Sequence, residues 1–229
     1  MTFITVIIPT LNEEDILPKT LQSLQVVRQK GVELIVVDGG SEDATVSIAK
    51  QFADKVLSAE PGRAKQLNKG AEYAHGKLLV FLHADTCLPS GAYKTLVQYA
   101  AQDECWGRFK VALNRAGRAY RMIEMMMNSR SCLTSIVTGD HTMFVSKKLF
   151  EKVAGYPDIA LMEDIAISKK LKKHQALICL KETVITSARR WQENGVVSTI
   201  LLMWRLRFLY FLNRSPQKLA LAYRDARLK

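Results

Sequence analysis

The sequence is poor in cysteine and lacks the close cysteine pairs that metal and redox sites use. Its four cysteines, Cys87, Cys105, Cys132 and Cys179, include no C-x-x-C spacing. This pattern disfavours both a zinc site and a disulfide framework. We therefore expect reduced thiols in a cytoplasmic protein.

Long apolar runs are also missing. The N-terminal MTFITVIIPT has no basic leading region, so we interpret it as a first strand rather than as a signal peptide. The most apolar stretch, residues 196–212, is interrupted by two arginines and is shorter than the roughly 20 apolar residues that span a bilayer. It is either a helix packed on the domain or an interfacial helix on anionic lipid, with Trp204, Phe208 and Tyr210 at headgroup depth.

Acidic residues are scarce relative to basic ones, mainly near the C-terminus. The formal net charge is +11, and residues 189–229 contain nine lysines or arginines against two acids. This imbalance predicts a phosphate-bearing partner, and charge alone does not choose between a nucleotide, a nucleic acid and an anionic membrane. The chain has no recognisable nucleic-acid-binding module, so we expect no nucleic-acid partner.

Proline- or serine-rich linkers and internal repeats are absent, which favours one domain, residues 1–188, with a basic helical extension, residues 189–229, packed on it. In the first half, apolar strands alternate with helices of about a dozen residues. This alternation predicts an α/β fold with a mostly parallel central sheet flanked by helices. We expect WGRFKVALN, in the second half, to be an exposed strand. The first four strands are FITVIIP, VELIVVDGG, KVLSA and KLLVFLHAD.

Polar residues follow three of these strands at points that should converge on one edge of the sheet, where ligands bind in such folds. Asp38 could accept hydrogen bonds from a ribose or a base, or could be a turn aspartate. Asp85 offers oxygen to a hard cation, and His83 faces the same side of the extended chain. Alternatively, Asp85 caps the turn before the next helix.

The second half adds further candidates. Glu163 and Asp164 begin a predicted helix, where they either cap it or supply a general base. His141 could be a ligand, a phosphate donor or a satisfied polar group. The run Arg189-Arg190-Trp191 combines two cations with a stacking surface suited to a diphosphate.

Five motifs in order give the sequence its resemblance to a known family. They are PTLNEE, DGGSEDAT, PGRAKQLNKGAEYAHGKLLVFLHADT, GDHTMFVSKKLFEKVAGYPD and MEDIAISKKL. The chain resembles a family 2 glycosyltransferase of GT-A fold from about Thr5 to about Leu180, and its C-terminal part is similar to a short, soluble-type subgroup. The resemblance implies a Rossmann-like domain that transfers a sugar from a nucleotide diphosphate-sugar to an acceptor hydroxyl, with inversion and with Mg²⁺ or Mn²⁺.

The resemblance also implies residue roles. Asp164 matches the catalytic base, and Asp85 matches the last acid of D-x-D, the direct metal ligand. His83 stands where the first acid is usual and is a second candidate ligand. The implied nucleotide site comprises Pro9, Thr10, Asn12, Glu13, Asp38, Gly39, Arg63, Asn68 and Ala84. The implied diphosphate or acceptor site comprises Glu163, His141, Arg189, Arg190 and Trp191.

Two departures and two rivals qualify this interpretation. Ser187 occupies the glutamine position of the Q-x-x-R-W motif, so chain-forming synthesis is not supported. A sugar-phosphate nucleotidyltransferase would carry a glycine-rich, basic loop after the first strand, where this sequence has the acidic TLNEED. His83 motivates the other rival, a non-catalytic nucleotide-sugar-binding protein. The acceptor stays unidentified. Contact of the C-terminal helix with lipid would place the protein at the inner face of the membrane.

Overall fold

The computed structural model describes residues 3–227, with side chains as far as Tyr223. Residues 1–2 and 228–229, which end the two predicted segments, lie outside the described part. The described residues form a mixed α/β structure around an eight-stranded sheet. Its strands are β1 (Ile4–Thr10), β2 (Glu33–Asp38), β3 (Lys55–Ser58), β4 (Leu78–Phe81), β5 (Thr86–Cys87), β6 (Trp106–Leu113), β7 (Met143–Ser146) and β8 (Ile178–Thr186).

The strand order is β3-β2-β1-β4-β7-β6-β8-β5. The first four strands are parallel, as are β6 and β8. Strand β7 is antiparallel to both neighbours, and β5 is antiparallel to β8. The predicted α/β sheet is thus confirmed, with antiparallel pairs in its second half. The helices are α1 (Leu17–Arg28), α2 (Thr45–Phe52), α3 (Arg63–Tyr73), α4 (Ala92–Ala100), α5 (Arg118–Thr134), α6 (Lys147–Lys152), α7 (Glu163–Leu171), α8 (Arg189–Glu193), α9 (Val196–Phe211) and α10 (Pro216–Arg227), with a 3₁₀ turn at Gly139–His141.

Alternation along the central strands divides the core into two layers. Val6 and Ile8 of β1 face α1, α2 and α4, whereas Ile7 between them faces α3, α6 and α7. Successive strand side chains point to opposite faces, so continuous apolar runs suit a sheet covered on both sides. Helix α1 carries Pro18 in its first turn, where a missing N–H costs no hydrogen bond. This packing holds the carboxyl ends of β1, β2 and β4 at one edge.

Strand β6 corrects the expectation that WGRFKVALN is exposed. It lies between β7 and β8, and Trp106 and Phe109 are fully buried. Two charged residues interrupt its apolar run. Lys110 is exposed, but Arg108 is buried, where its guanidinium donates to the side-chain and backbone oxygens of Asn128. Sequence alone does not distinguish a buried arginine from an exposed one.

The cysteines correct a second expectation. Cys132 and Cys179 form a disulfide across a sequence separation of 47 residues, with their Cα atoms 6.2 Å apart. Cys132 lies in the last turn of α5 and Cys179 lies on β8, and α5 and β8 are both neighbours of β6. The expectation of reduced thiols is wrong for this pair, because tertiary packing rather than sequence spacing brings them together. Cys87 and Cys105 are free.

The C-terminal helices pack on the domain through one side. Leu206 of α9 and Leu219 of α10 are buried with Met162 and Ile165, which flank the start of α7. This contact places α9 beside the loop that precedes α7. Among the described residues, no helix combines the length and apolarity that crossing a membrane requires.

Candidate active site

A solvent-open cleft of ≈ 900 Å³ lies at the carboxyl edge of the central strands. It receives residues from the ends of β1 and β4, from the first turn of α3, and from α8. The structure therefore brings the polar ends of separate strands together, as the strand order predicts. The predicted site residues that line it are Pro9, Glu13, Arg63, His83, Ala84, Asp85, Arg189, Arg190 and Trp191.

Asp85 lies in the turn between β4 and β5, with its carboxylate held from one side. Its Oδ1 accepts hydrogen bonds from Thr86 Oγ1 at 3.3 Å and from Thr186 Oγ1 at 3.5 Å. The two threonines face each other because β5 pairs with β8 at this position. The chain therefore leaves β4 and re-enters the sheet as the two-residue strand β5, and the pairing of β5 with β8 holds the Asp85 carboxylate at the cleft.

The imidazole of His83 lies between Gly139 and Asp140. Its Nδ1 is 3.7 Å from Asp140 Oδ1, and its Nε2 is so close to Gly139 that an added Cβ there would overlap the ring. Burial, followed by the nearby Arg63 guanidinium, lowers the pKa of His83 below its ordinary value. The ring is therefore neutral at pH 7, which is the form that binds metal.

The donor set around Asp85 fits a divalent cation only in part. No group of three or more histidine, cysteine or acidic side chains is arranged for a metal within the described part of the chain. Asp85 offers a carboxylate at the open cleft and His83 a neutral imidazole close to it. One or two protein ligands completed by substrate phosphates and water is a common arrangement for Mg²⁺ sites.

A smaller, largely apolar pocket of ≈ 340 Å³ adjoins the cleft and shares Arg63 and His83 with it. Glu163 and Asp164 lie on its wall, in the first turn of α7. Asp164 accepts hydrogen bonds from its neighbour Ile165 N at 2.7 Å and from Gly139 N at 3.3 Å. The shared side chains place the E-D acids beside the cleft that contains Asp85.

The two acids of this pair differ in environment. Glu163 is 5 % exposed, and burial raises its pKa above the ordinary value although the Arg63 guanidinium, 3.4 Å from its Oε1, opposes the rise. Asp164 is half-buried and directed toward Gly139. The first acid therefore braces Arg63, and the second is the better placed to accept a proton.

Asp140 was missed by sequence reasoning. Burial raises its pKa, but the charged and polar groups around it, with Arg190 the largest, together hold the net pKa below the ordinary value. It lines the cleft, whereas the adjacent His141, the residue selected from the sequence, is fully buried. Asp140 and His141 are neighbours in the same GDH motif, and only the burial of His141 shows that Asp140 is the residue at the cleft. Burial lowers the pKa of His141 to about 3.

Asp38 organises a loop instead of lining the cleft. Its Oδ2 accepts hydrogen bonds from Gly40 N and Ser41 N, both at 2.9 Å, and it is 3 % exposed. Gln66, also missed from the sequence, donates to Thr10 O at 2.7 Å and to Val37 O at 2.9 Å, and thereby ties the ends of β1 and β2. Gly39 leaves room for that side chain. Nucleotide contact by Thr10, Asp38 and Gly39 stays a prediction.

Two asparagines predicted near the nucleotide are also engaged with backbone. Asn12 Oδ1 accepts from Glu42 N at 2.9 Å, which ties the loop after β1 to the loop after β2. Asn68 of α3 both donates to Tyr156 O at 2.8 Å and accepts from Tyr156 N at 2.9 Å. Each fixes a loop beside the cleft, and direct ligand contact by either one stays a prediction.

Solved structures with similar folds come from several organisms. TarS of Staphylococcus aureus, solved in complex with UDP, matches with a TM-score of 0.65 and 21% identity over 81% of this chain and 60% of that one. The mannosyltransferase PcManGT of Pyrobaculum calidifontis, solved with GDP-Man and Mn²⁺, matches with a TM-score of 0.64 and 22% identity over 89% and 60%. At these identities the likeness shows the GT-A fold.

Sequence comparison adds the family. A curated β-1,3-glucosyltransferase of Campylobacter jejuni, which acts on GalNAc(5)-diNAcBac-PP-undecaprenol, is 34% identical over 110 residues, covering 44% of this chain and 35% of its own length. The chain spans about a third of the length of the curated relatives it matches. The family model described as Glycosyl transferase family 2 matches residues 5–153, well over half of the chain. The chain therefore belongs to glycosyl transferase family 2, as its motifs indicated.

Proposed function

We propose that the chain is an inverting glycosyltransferase that uses a divalent cation and a nucleoside diphosphate-sugar donor. The observation that carries the proposal is the arrangement of Asp85 and Asp164 on adjoining pockets that share Arg63 and His83. One carboxylate is open to a diphosphate, and the other is open to an acceptor. Family membership and the complexes of similarly folded proteins with UDP, or with GDP-Man and Mn²⁺, support the same reaction class.

The residues of the cleft divide the work by charge. Bound Mg²⁺ or Mn²⁺ would supply Lewis-acid stabilisation of the departing diphosphate, with Asp85 and His83 as its protein ligands. Arg190 and Arg189 line the same cleft and would add positive charge where the leaving group develops negative charge. The Arg189 guanidinium lies 3.6 Å from Glu13 Oε2, so a donor diphosphate that binds Arg189 would compete with this ion pair.

Asp164 would act on the acceptor side. As the acceptor oxygen forms its bond to the anomeric carbon, the bond from that carbon to the diphosphate oxygen breaks, and the hydroxyl proton passes to Asp164 Oδ. Attack opposite the leaving group inverts the anomeric configuration. The apolar walls beside Asp164 would exclude water and so favour the acceptor hydroxyl as nucleophile.

Choice of cation depends on His83. A nitrogen ligand beside the carboxylate favours Mn²⁺ over Mg²⁺, since imidazole suits later transition metals better than hard Mg²⁺. If the imidazole only donates to a phosphate, the two cations should support binding more equally. The comparison of the two metals therefore reports the ligand set.

Calorimetric titration of UDP-, GDP- and other nucleoside diphosphate-sugars tests the donor site. We expect one class of donor to bind only with Mn²⁺ or Mg²⁺ present, and Asp85→Ala to abolish that metal dependence. Asp103→Ala is the matched control, because Asp103 is a surface carboxylate paired with Lys148. Metal-dependent binding that survives in Asp85→Ala would remove Asp85 from the proposed site.

For the acceptor we propose only a chemical class, and for the location only a membrane surface. The Campylobacter relative is named for an undecaprenol-linked acceptor, which supports a search among lipid-linked hydroxyls at a membrane surface. The cytoplasmic location expected from four reduced cysteines loses the support of Cys132 and Cys179. Activity toward polyprenyl-linked acceptors, measured against their water-soluble headgroups, tests the acceptor class.

A further inference from the structure

Helix α9 has two apolar faces, of which the domain covers one. Thr199 and Leu206 are 3 % and 1 % exposed, on the side that packs against the domain. Large apolar residues on the opposite side stay exposed. This second side, here called the α9 outer face, consists of Val197 (69 % exposed), Leu201 (58 %), Trp204 (56 %), Phe208 (62 %) and Phe211 (73 %).

These five side chains form one continuous stripe. Their spacings of four, three, four and three residues keep them on one side of a helix with 3.6 residues per turn. At about 1.5 Å per residue, the stripe runs for about 20 Å. Single exposed apolar residues need no explanation, but a row of this length marks a docking surface.

The surroundings of the stripe carry positive charge. Residues 194–223 contain no aspartate or glutamate. Three exposed cations lie within or after the stripe along the chain: Arg205 on α9, Arg214 in the turn after it and Lys218 on α10. Apolar side chains flanked by exposed cations match the chemistry of an anionic lipid surface, where acyl chains take the apolar row and headgroups meet the cations.

We propose that the α9 outer face docks the chain on an anionic bilayer surface, with α9 lying in the interface plane. Trp204 and Phe208 occupy the middle of the stripe and enter the boundary between headgroups and acyl chains. The wall of the cleft ends at Asn194, two residues before α9, so docking sets the cleft beside the lipid. Docking itself does not depend on the sugar transfer proposed above.

A second copy of the chain is a weaker occupant. Two copies joined through the same face would bring their basic flanks together, and the net charge of +11 opposes self-association. An anionic bilayer satisfies both the apolar row and the charge. The oligomeric state in solution separates the two occupants.

Co-sedimentation with vesicles tests the proposal. The wild-type chain should pellet with vesicles of phosphatidylcholine and phosphatidylglycerol, less with phosphatidylcholine alone, and less as salt rises. Trp204→Ser/Phe208→Ser should lower partitioning at least about tenfold, because the two aromatic side chains that insert into the bilayer are removed. Val26→Ser/Val97→Ser is the matched control, since both valines are exposed on other helices, α1 and α4, and it should partition like the wild type.

A second measurement needs no variant. Lipids with brominated acyl chains should quench tryptophan emission of the wild-type chain in proportion to the bound fraction. Wild-type protein that stays in the supernatant with anionic vesicles would overturn the proposal. Equal partitioning of the two double variants would also overturn it. A third contrary result is a concentration-dependent dimer that Trp204→Ser/Phe208→Ser abolishes, when neither the wild type nor this variant binds vesicles. Nucleoside diphosphate-sugar binding is measured separately, so failure of the docking proposal can be distinguished from failure of the proposed sugar transfer.

Discussion

Glu163 and Asp164 are neighbours in sequence that occupy different environments in the fold. Glu163 is buried against Arg63, and Asp164 turns toward Gly139 at the edge of the cleft. The burial that raises the pKa of Glu163 favours its neutral form relative to an exposed carboxyl. Because the carboxylate of Glu163 is paired with Arg63, we propose Asp164 as the proton acceptor.

Replacing each acid with its amide tests this division. Asp164→Asn keeps the size of the side chain but removes the base and one of its two hydrogen-bond acceptors, so we expect kcat to fall about 10²- to 10⁴-fold with donor affinity unchanged. Glu163→Gln is the matched variant and should lose far less, because it keeps the buried shape and loses only a long ion pair with Arg63. Steady-state kinetics and calorimetry measure both. Equal losses in the two variants would contradict the assignment.

Gly139 controls the position of His83. An added Cβ would overlap the imidazole Nε2, so Gly139→Ala must displace the ring or the turn. We expect a loss of about 1–3 kcal/mol in the free energy of unfolding, as for other overpacked sites, together with weaker metal-dependent nucleotide binding.

Gly91→Ala is the control for this substitution, since an added Cβ there meets no described atom within 4 Å. Urea unfolding and calorimetry of the two variants give the comparison. If Gly139→Ala matches Gly91→Ala in both measurements, the contact between Gly139 and His83 does not constrain the site.

At this scale the sequence predicted which residues are polar and near strand ends, but not which are covered. Asp85 and Asp164 reach open pockets, whereas Asp38 and His141 are buried. All four satisfied the same sequence criterion of a polar group beside a turn. Burial depends on packing by other segments, such as Gln66 over the end of β2, and sequence position does not encode it.

Among the elements, the parallel βα units were predictable because a strand buried on both faces and an amphipathic helix have distinct periods. Strand β6 was predicted to be exposed but is buried; Arg108 and Lys110 interrupt the apolar run that is typical of a buried strand. The disulfide between α5 and β8 was not predictable from the sequence either. It depends on strand order, which places β8 beside β6 although β7 lies between them in the chain.

The disulfide that joins these two elements should stabilise the second half of the fold. Reduction, or Cys132→Ser, should lower the free energy of unfolding by about 2–4 kcal/mol, because the bond closes a long loop in the unfolded chain. Chemical denaturation with and without reductant measures the effect, and mass spectrometry of unreduced peptides identifies the pair.

Cys132→Ser itself supplies the control. This variant should show no further response to reductant, since Cys87 and Cys105 are free thiols. A wild-type protein whose two thiols at positions 132 and 179 alkylate without reduction would contradict the bond.

For the whole molecule, the first half of the chain builds the parallel sheet edge and the second half completes the cleft above it. Residues after position 153, beyond the match to the family model, supply Asp164, Arg189 and Arg190. The sheet class and the approximate edge followed from the strand pattern. The position of α8 at the cleft could not be predicted in this way, because a five-residue helix is too short for its apolar periodicity to be recognised in the sequence.

Inverting sugar transfer in this cleft is tested by NMR of the earliest products. The bound nucleoside diphosphate-sugar is incubated with Mg²⁺, and phosphorus and proton spectra identify the products, with water accepting the sugar where no other acceptor is present. We expect a nucleoside diphosphate and a sugar whose first anomer is opposite to that of the donor, with Asp164→Asn nearly inactive. A nucleoside monophosphate with a sugar phosphate, or a sugar that keeps the donor's anomeric configuration, would contradict inverting transfer.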